Sequence, residues 1–112
     1  MSINPIHLTL SADQSNADLS YQYLHIDITS PDGIIVPGDL NTLTLPDGMN
    51  WRQGVIIGGK GPVWLYGFLV HECHPAKWVG CYDPRLGAVV VSTHCKEASV
   101  GQVLDVTLSS LS

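Results

Sequence analysis

The run Gly54-Val55-Ile56-Ile57-Gly58 is apolar without a break, stops at Gly59-Lys60-Gly61, and meets Pro62 at the head of a stretch with helical spacing. A short apolar run bounded by glycines reads as a buried strand, and proline suits the first position of a helix. Trp64, Leu65, Phe68 and Leu69 fall on one side of a helix expected over residues 62–74, which Pro75 ends. Trp78 to Tyr82 then reads as a strand, Asp83-Pro84-Arg85-Leu86-Gly87 as a turn, and Ala88 to Thr93 as a returning strand. Strand, helix, strand, turn, strand is an order that demands a sheet with a helix laid on it.

The rest of the chain supplies more sheet. Ile6, Leu8 and Leu10 alternate with polar residues, and Gln22, Leu24, Ile26 and Ile28 alternate with Tyr21, Tyr23, His25, Asp27 and Thr29. The second alternation suggests an antiparallel strand with one wet face. Residues 11–20 read as a turn or loop. Residues 34–53 are irregular, with a short helix near Asp39, and Leu104, Val106 and Leu108 mark a last strand. The expectation is one α+β domain over 1–112, ferredoxin-like in the manner of RAMP and RRM domains, with a mixed sheet and one main helix.

Composition excludes several classes. With 45% hydrophobic and 13% charged residues and a mean hydropathy of +0.17, the chain is too apolar for disorder. No apolar stretch is long enough to span a membrane and no secretory leader pattern is visible, so a cytoplasmic protein with no membrane partner is expected. Ten acidic residues against five basic ones give −5, which argues against DNA held by a basic surface. Cys73, Cys81 and Cys95 are odd in number and form no Cys-x-x-Cys, so reduced thiols are expected rather than a disulfide framework.

Topology places the polar residues in space. The strand before the helix runs up to Gly58–Gly61, the helix returns about 18 Å down to His71 and His74, and the next strand climbs back to Asp83 and Arg85. The returning strand descends about 20 Å to His94 and Cys95. Gly59, Lys60, Gly61, Asp83 and Arg85 therefore form an upper cluster, and His71, His74 and His94, with Cys73 and Cys95 near, a lower one. Within one chain the two cannot meet, so a reaction that uses both needs protomers stacked top to bottom.

Each cluster has its own chemistry. A glycine loop entering a helix N-terminus presents free N–H groups to an anion. The letters Gly54 to Lys60 match part of a phosphate-binding loop, but Gly61 replaces the Ser or Thr that would hold magnesium. Asp83 and Arg85 put a carboxylate and a planar guanidinium on one rigid turn, suited to metal and phosphate respectively. His71 and His74, spaced i, i+3, share a helix face and with His94 suit a metal or an acid–base role. A zinc site built from Cys73, His74, His94 and Cys95 is a competing reading, although the spacing matches no zinc finger. His7 and His25 sit on strand faces and read as structural.

The segments Gly59-Lys60-Gly61-Pro62-Val63-Trp64-Leu65 and Tyr82-Asp83-Pro84-Arg85-Leu86-Gly87-Ala88-Val89-Val90-Val91, with His94 and Val100-Gly101, resemble the small CRISPR-associated ring nuclease of type III systems, the CRISPR ring nuclease three family. The resemblance is close over residues 54–108. It implies a ferredoxin-like homodimer that degrades cyclic tetra-adenylate, a second messenger of antiviral defence, to linear di-adenylate with Mn2+. It further implies that the ring is held between stacked dimers. By position, the family's catalytic histidine falls on His74 and its catalytic aspartate and arginine on Asp83 and Arg85. A metal-linked histidine falls on His94, and His71 is close enough to exchange roles with His74. Gly58, Gly59, Lys60 and Gly61 would cradle phosphates, Lys60 standing where the family often carries arginine. Asp83, His94 and His71 are the expected metal contacts. Alternatives are a manganese-dependent deadenylating RNA exonuclease and a module that binds the messenger without cleaving it.

Overall fold

A computed structural model describes residues 3–111. Its strands are β1 (Ile6–Leu10), β2 (Gln14–Asn16), β3 (Leu19–Ile28), β4 (Gly54–Gly59), β5 (Trp78–Asp83), β6 (Gly87–Thr93) and β7 (Val103–Leu104). The helices are α1 (Val63–Glu72) and a single turn, α2 (Leu108–Leu111), and a 3-10 segment spans Pro37–Thr42. All seven strands join one mixed sheet in the order β1-β3-β4-β5-β6-β7, with β2 continuing the edge beside β3. β3, β4 and β5 are parallel neighbours, and β1, β2, β6 and β7 pair antiparallel. This is the α+β domain with a mixed sheet and one main helix that the pattern implied, and it is compatible with a ferredoxin-like fold.

The sheet carries a core on each face. On one, Leu24, Ile26, Val55, Ile57 and Val79 meet Leu65 and Leu69 of α1 and the Cys73 that follows it, all nearly or fully buried. Burying a leucine in this way contributes about 1.5–3 kcal/mol, which offsets the absence of any side-chain cap on α1. Leu40, Leu43, Leu45 and Trp51, from the irregular segment between β3 and β4, cover the remainder of that face. On the other face Tyr21, Tyr23, Ile56, Trp78 and Val90 are covered by Ala98, Leu104, Val106 and Leu111.

Several local expectations change. β3 has no wet face along most of its length, because Tyr21 and Tyr23 are as buried as Leu24 and Ile26. It is a central strand, antiparallel to β1 but parallel to β4. Residues 14–16 add a short strand to what reads as loop, because a two-residue turn at Ala17 and Asp18, both at positive φ, folds them back on β3. Pro62 is the N-cap (φ −68°, ψ 160°) rather than the first helical residue. α1 stops at Glu72 with Cys73 as C-cap, so His74 lies beyond it. The expected last strand is only Val103–Leu104; Leu108 opens a helical turn that buries Leu111.

Candidate functional site

At the upper end of the sheet, β4 delivers the glycine loop against β3. Gly59 has φ +110°, and a Cβ there would stand 2.3 Å from the Ile26 carbonyl oxygen. A Cβ on Gly58 would press on the Tyr23 ring at 2.8 Å. Both glycines are therefore required by packing before any ligand is considered. Tyr66 Oη of α1 donates to the Gly59 carbonyl at 2.6 Å and clamps the loop. The first amides of α1 receive no side-chain cap, and they open beside this loop.

The β5–β6 turn is set by Asp83. Its Oδ1 accepts the Arg85 amide at 2.7 Å and the Leu86 amide at 3.2 Å, an Asx turn that leaves Oδ2 outside the bonded pair. Gly87 closes the turn at φ +111°, where a Cβ would strike the Leu104 carbonyl oxygen. Asp83 is half-buried, while Arg85 and Lys60 are exposed.

Two open depressions share this end. The larger, about 840 Å³, is lined by His25, Ile26, Asp27, Gly59, Lys60, Gly61, Tyr66, Tyr82, Pro84 and Leu108. The smaller, about 450 Å³, adds Asp83, Cys81, Val63 and Val89 to the shared Gly61, Tyr66 and Tyr82. Gly59, Lys60, Gly61 and the Asp83 turn thus come together as their spacing implied; Gly58 lies one residue deeper and is buried.

The lower end holds a histidine pair. His74 and His94 stack edge to face with ring centroids 4.8 Å apart. His94 Nε2 donates to the His74 carbonyl at 3.0 Å. That bond fixes the neutral tautomer and leaves Nδ1 with the lone pair. His71 is exposed in the last turn of α1, and its carbonyl accepts the His74 amide at 3.1 Å. The shared helix face for His71 and His74 does not hold, because the helix ends between them.

Asp83 and the histidines are far apart. Asp83 faces Gly87 at one end of the β5–β6 ladder and Trp78 faces Thr93 at the other, a span of about 17 Å at 3.3 Å per residue. Asp83, His94 and His71 do not converge in one chain. No group of three His, Cys, Asp or Glu among the described residues stands ready to hold a metal. The four zinc candidates Cys73, His74, His94 and Cys95 form no such group either, and Cys73 is fully buried against α1.

One constellation was missed. Tyr23 Oη lies 2.7 Å from His25 Nδ1, and His25 and Asp27 both face the larger depression. The i, i+2 spacing of Tyr23, His25 and Asp27 on one strand face carried the signal.

Among the described residues, no helix is long and apolar enough to cross a membrane. A family described as CRISPR-associated protein (Cas_csx3) matches residues 28–105, from the end of β3 through the glycine loop, α1, the Asp83 turn and β7. An uncharacterized protein of Aquifex aeolicus is 46% identical over 74 residues, 62% of this chain and 67% of that one.

Proposed function

The chain belongs to the CRISPR-associated family Cas_csx3, and on that premise we propose that it is a metal-dependent phosphodiesterase that opens cyclic tetra-adenylate to linear di-adenylate. The observation that carries this reading is the upper end of the sheet. A carboxylate and a guanidinium stand on one rigid turn beside a glycine loop, uncapped helix amides and a wide depression. Such a surface suits a small anionic ring better than a long nucleic acid, because the chain carries only five basic residues.

In this reading the residues divide the work. Lys60, Gly59, Gly61 and the α1 amides hold non-scissile phosphates. Arg85 opposes the charge that builds on the phosphate being cleaved. His74 and His94 supply an acid–base pair, the lone pair of His94 Nδ1 being aimed by its bond to the His74 carbonyl. Asp83, His94 and His71 are the groups suited to Mn2+, but only as a set shared by two chains. A divalent ion there would act as a Lewis acid on the phosphate. The distance between the poles therefore supports stacked homodimers, the upper end of one protomer meeting the lower end of the next with the ring between them.

The test is chromatography of cyclic tetra-adenylate incubated with the protein and Mn2+, beside Asp83→Ala. Conversion to di-adenylate that drops at least 100-fold in the variant is expected, a loss on the order of one metal-contact group. An intact ring with the unaltered chain overturns the reading. Faster loss of adenosines from a linear poly-A tail than from the ring would turn it into an exonuclease.

A further inference from the structure

We infer that His25 and Asp27 read the amino edge of adenine, with Tyr23 positioning His25 for that task. This inference rests on the proposed nucleotide-binding role of the same end of the sheet. It adds the residues that would distinguish one base from another.

Tyr23 is 2% exposed, and its hydroxyl has one hydrogen-bond partner among the described residues, His25 Nδ1 at 2.7 Å. A buried hydroxyl proton without an acceptor is costly, so the phenol donates and the ring nitrogen accepts. Burial also pushes the Tyr23 hydroxyl up to about 12, keeping it a donor throughout the neutral range. An imidazole that accepts at Nδ1 carries its own proton on Nε2. His25 Nε2 has no partner among the described residues, and His25 lines the larger depression. The result is a hydrogen-bond donor of fixed tautomer facing open space.

Asp27 is two residues further along β3, on the same face, and lines the same depression. It is exposed and, when ionised, only accepts hydrogen bonds. Its cross-strand neighbour is His7, and no hydrogen bond occupies the Asp27 carboxylate among the described residues. A donor beside an acceptor is the complement of adenine, whose N6 amino group donates next to a ring nitrogen that accepts. Hypoxanthine and guanine carry an oxygen at position 6, which would face the Asp27 carboxylate. Lys60 lies in the same depression and offers its charge to the attached phosphate. Tyr82 and Tyr66 supply aromatic surface on which a base can rest.

Calorimetric titration with cyclic tetra-adenylate and with its tetra-inosinate analogue tests this. The unaltered chain is expected to prefer the adenine ring by about tenfold or more. His25→Ala and Asp27→Asn should bring that ratio close to one, the latter because an amide both donates and accepts. Tyr23→Phe keeps the buried ring but removes the hydroxyl, and should lose part of the preference without changing the thermal midpoint in proportion. A ratio that survives in His25→Ala and Asp27→Asn overturns the inference, as does a uniform loss of affinity for both rings. Binding with discrimination but no cleavage would sink the enzymatic reading and leave this one standing. Binding of neither ring by the unaltered chain would overturn both.

Discussion

Tyr23 has two neighbours of opposite character, the apolar core behind it and the His25 ring before it. Burial is the largest influence on its hydroxyl, with Tyr66 and Tyr82 adding to it. Burial raises Tyr21 and Tyr66 as well. The sign of the stability effect follows. An unfolded chain releases phenol protons near pH 10, whereas the folded chain holds that of Tyr23 to about 12, so the unfolded state binds fewer protons across this window. The contribution is complete below pH 10 and is lost as the pH climbs towards 12. A titration of tyrosinate absorbance should show a late-ionising fraction that coincides with loss of the fold. In Tyr23→Phe that coincidence should weaken. Sequence displayed Tyr21 and Tyr23 on the supposedly wet side of a strand, and the error has a physical cause. Alternation reports which residues share a face, but whether that face is covered depends on residues 98–111, which nothing near β3 announces.

At the level of elements, the strand–loop–helix unit from β4 to α1 was legible because its signals are local: an unbroken apolar run, glycines, then proline. Its boundaries were less so. His74 reads as helical by spacing, yet Pro75 disfavours the helical region for the residue before it, and α1 closes at Cys73. The last strand failed for a different reason. Leu104, Val106 and Leu108 alternate faultlessly, but only Val103 and Leu104 find a ladder partner on β6. The glycine loop yields a sharp expectation of its own. Gly59→Ala combines a positive φ with a collision against β3 backbone, and should cost about 2–4 kcal/mol in denaturant melts. Gly61→Ala would press on the flexible end of Leu65 at 3.0 Å and touch the Ile26 side chain at an ordinary 3.5 Å, and should cost below about 1 kcal/mol. Comparable losses in both would mean that the loop is not pinned on β3.

For the whole molecule, the separation of the poles is the decisive quantity, and the order of the elements along the chain already implies it. A chain whose upper and lower ends each hold part of a reaction cannot complete it alone. A head-to-tail contact joins unlike surfaces. Mixing Asp83→Ala with His74→Ala, each nearly inactive by itself, should therefore restore activity at the contacts that pair an intact upper end with an intact lower end. At equal amounts these are about a quarter of all contacts. Recovery near that level supports a shared site; none at all, with both variants still assembling, places the whole reaction within one chain.

The second core has a further implication, one of timing. Its cover comes from residues 98–111, far along the chain from β3, and Gln14 reaches across 97 positions to bond the Leu111 carbonyl at 2.7 Å. Leu108, which walls the larger depression, hangs from Tyr82 Oη by its amide. The helix side can condense from neighbours close in sequence, but the tyrosine side must wait for a closure of long range, the slow kind. Until residues 98–111 close over that face the groove is unfinished, so competence to engage a ligand follows the long-range closure.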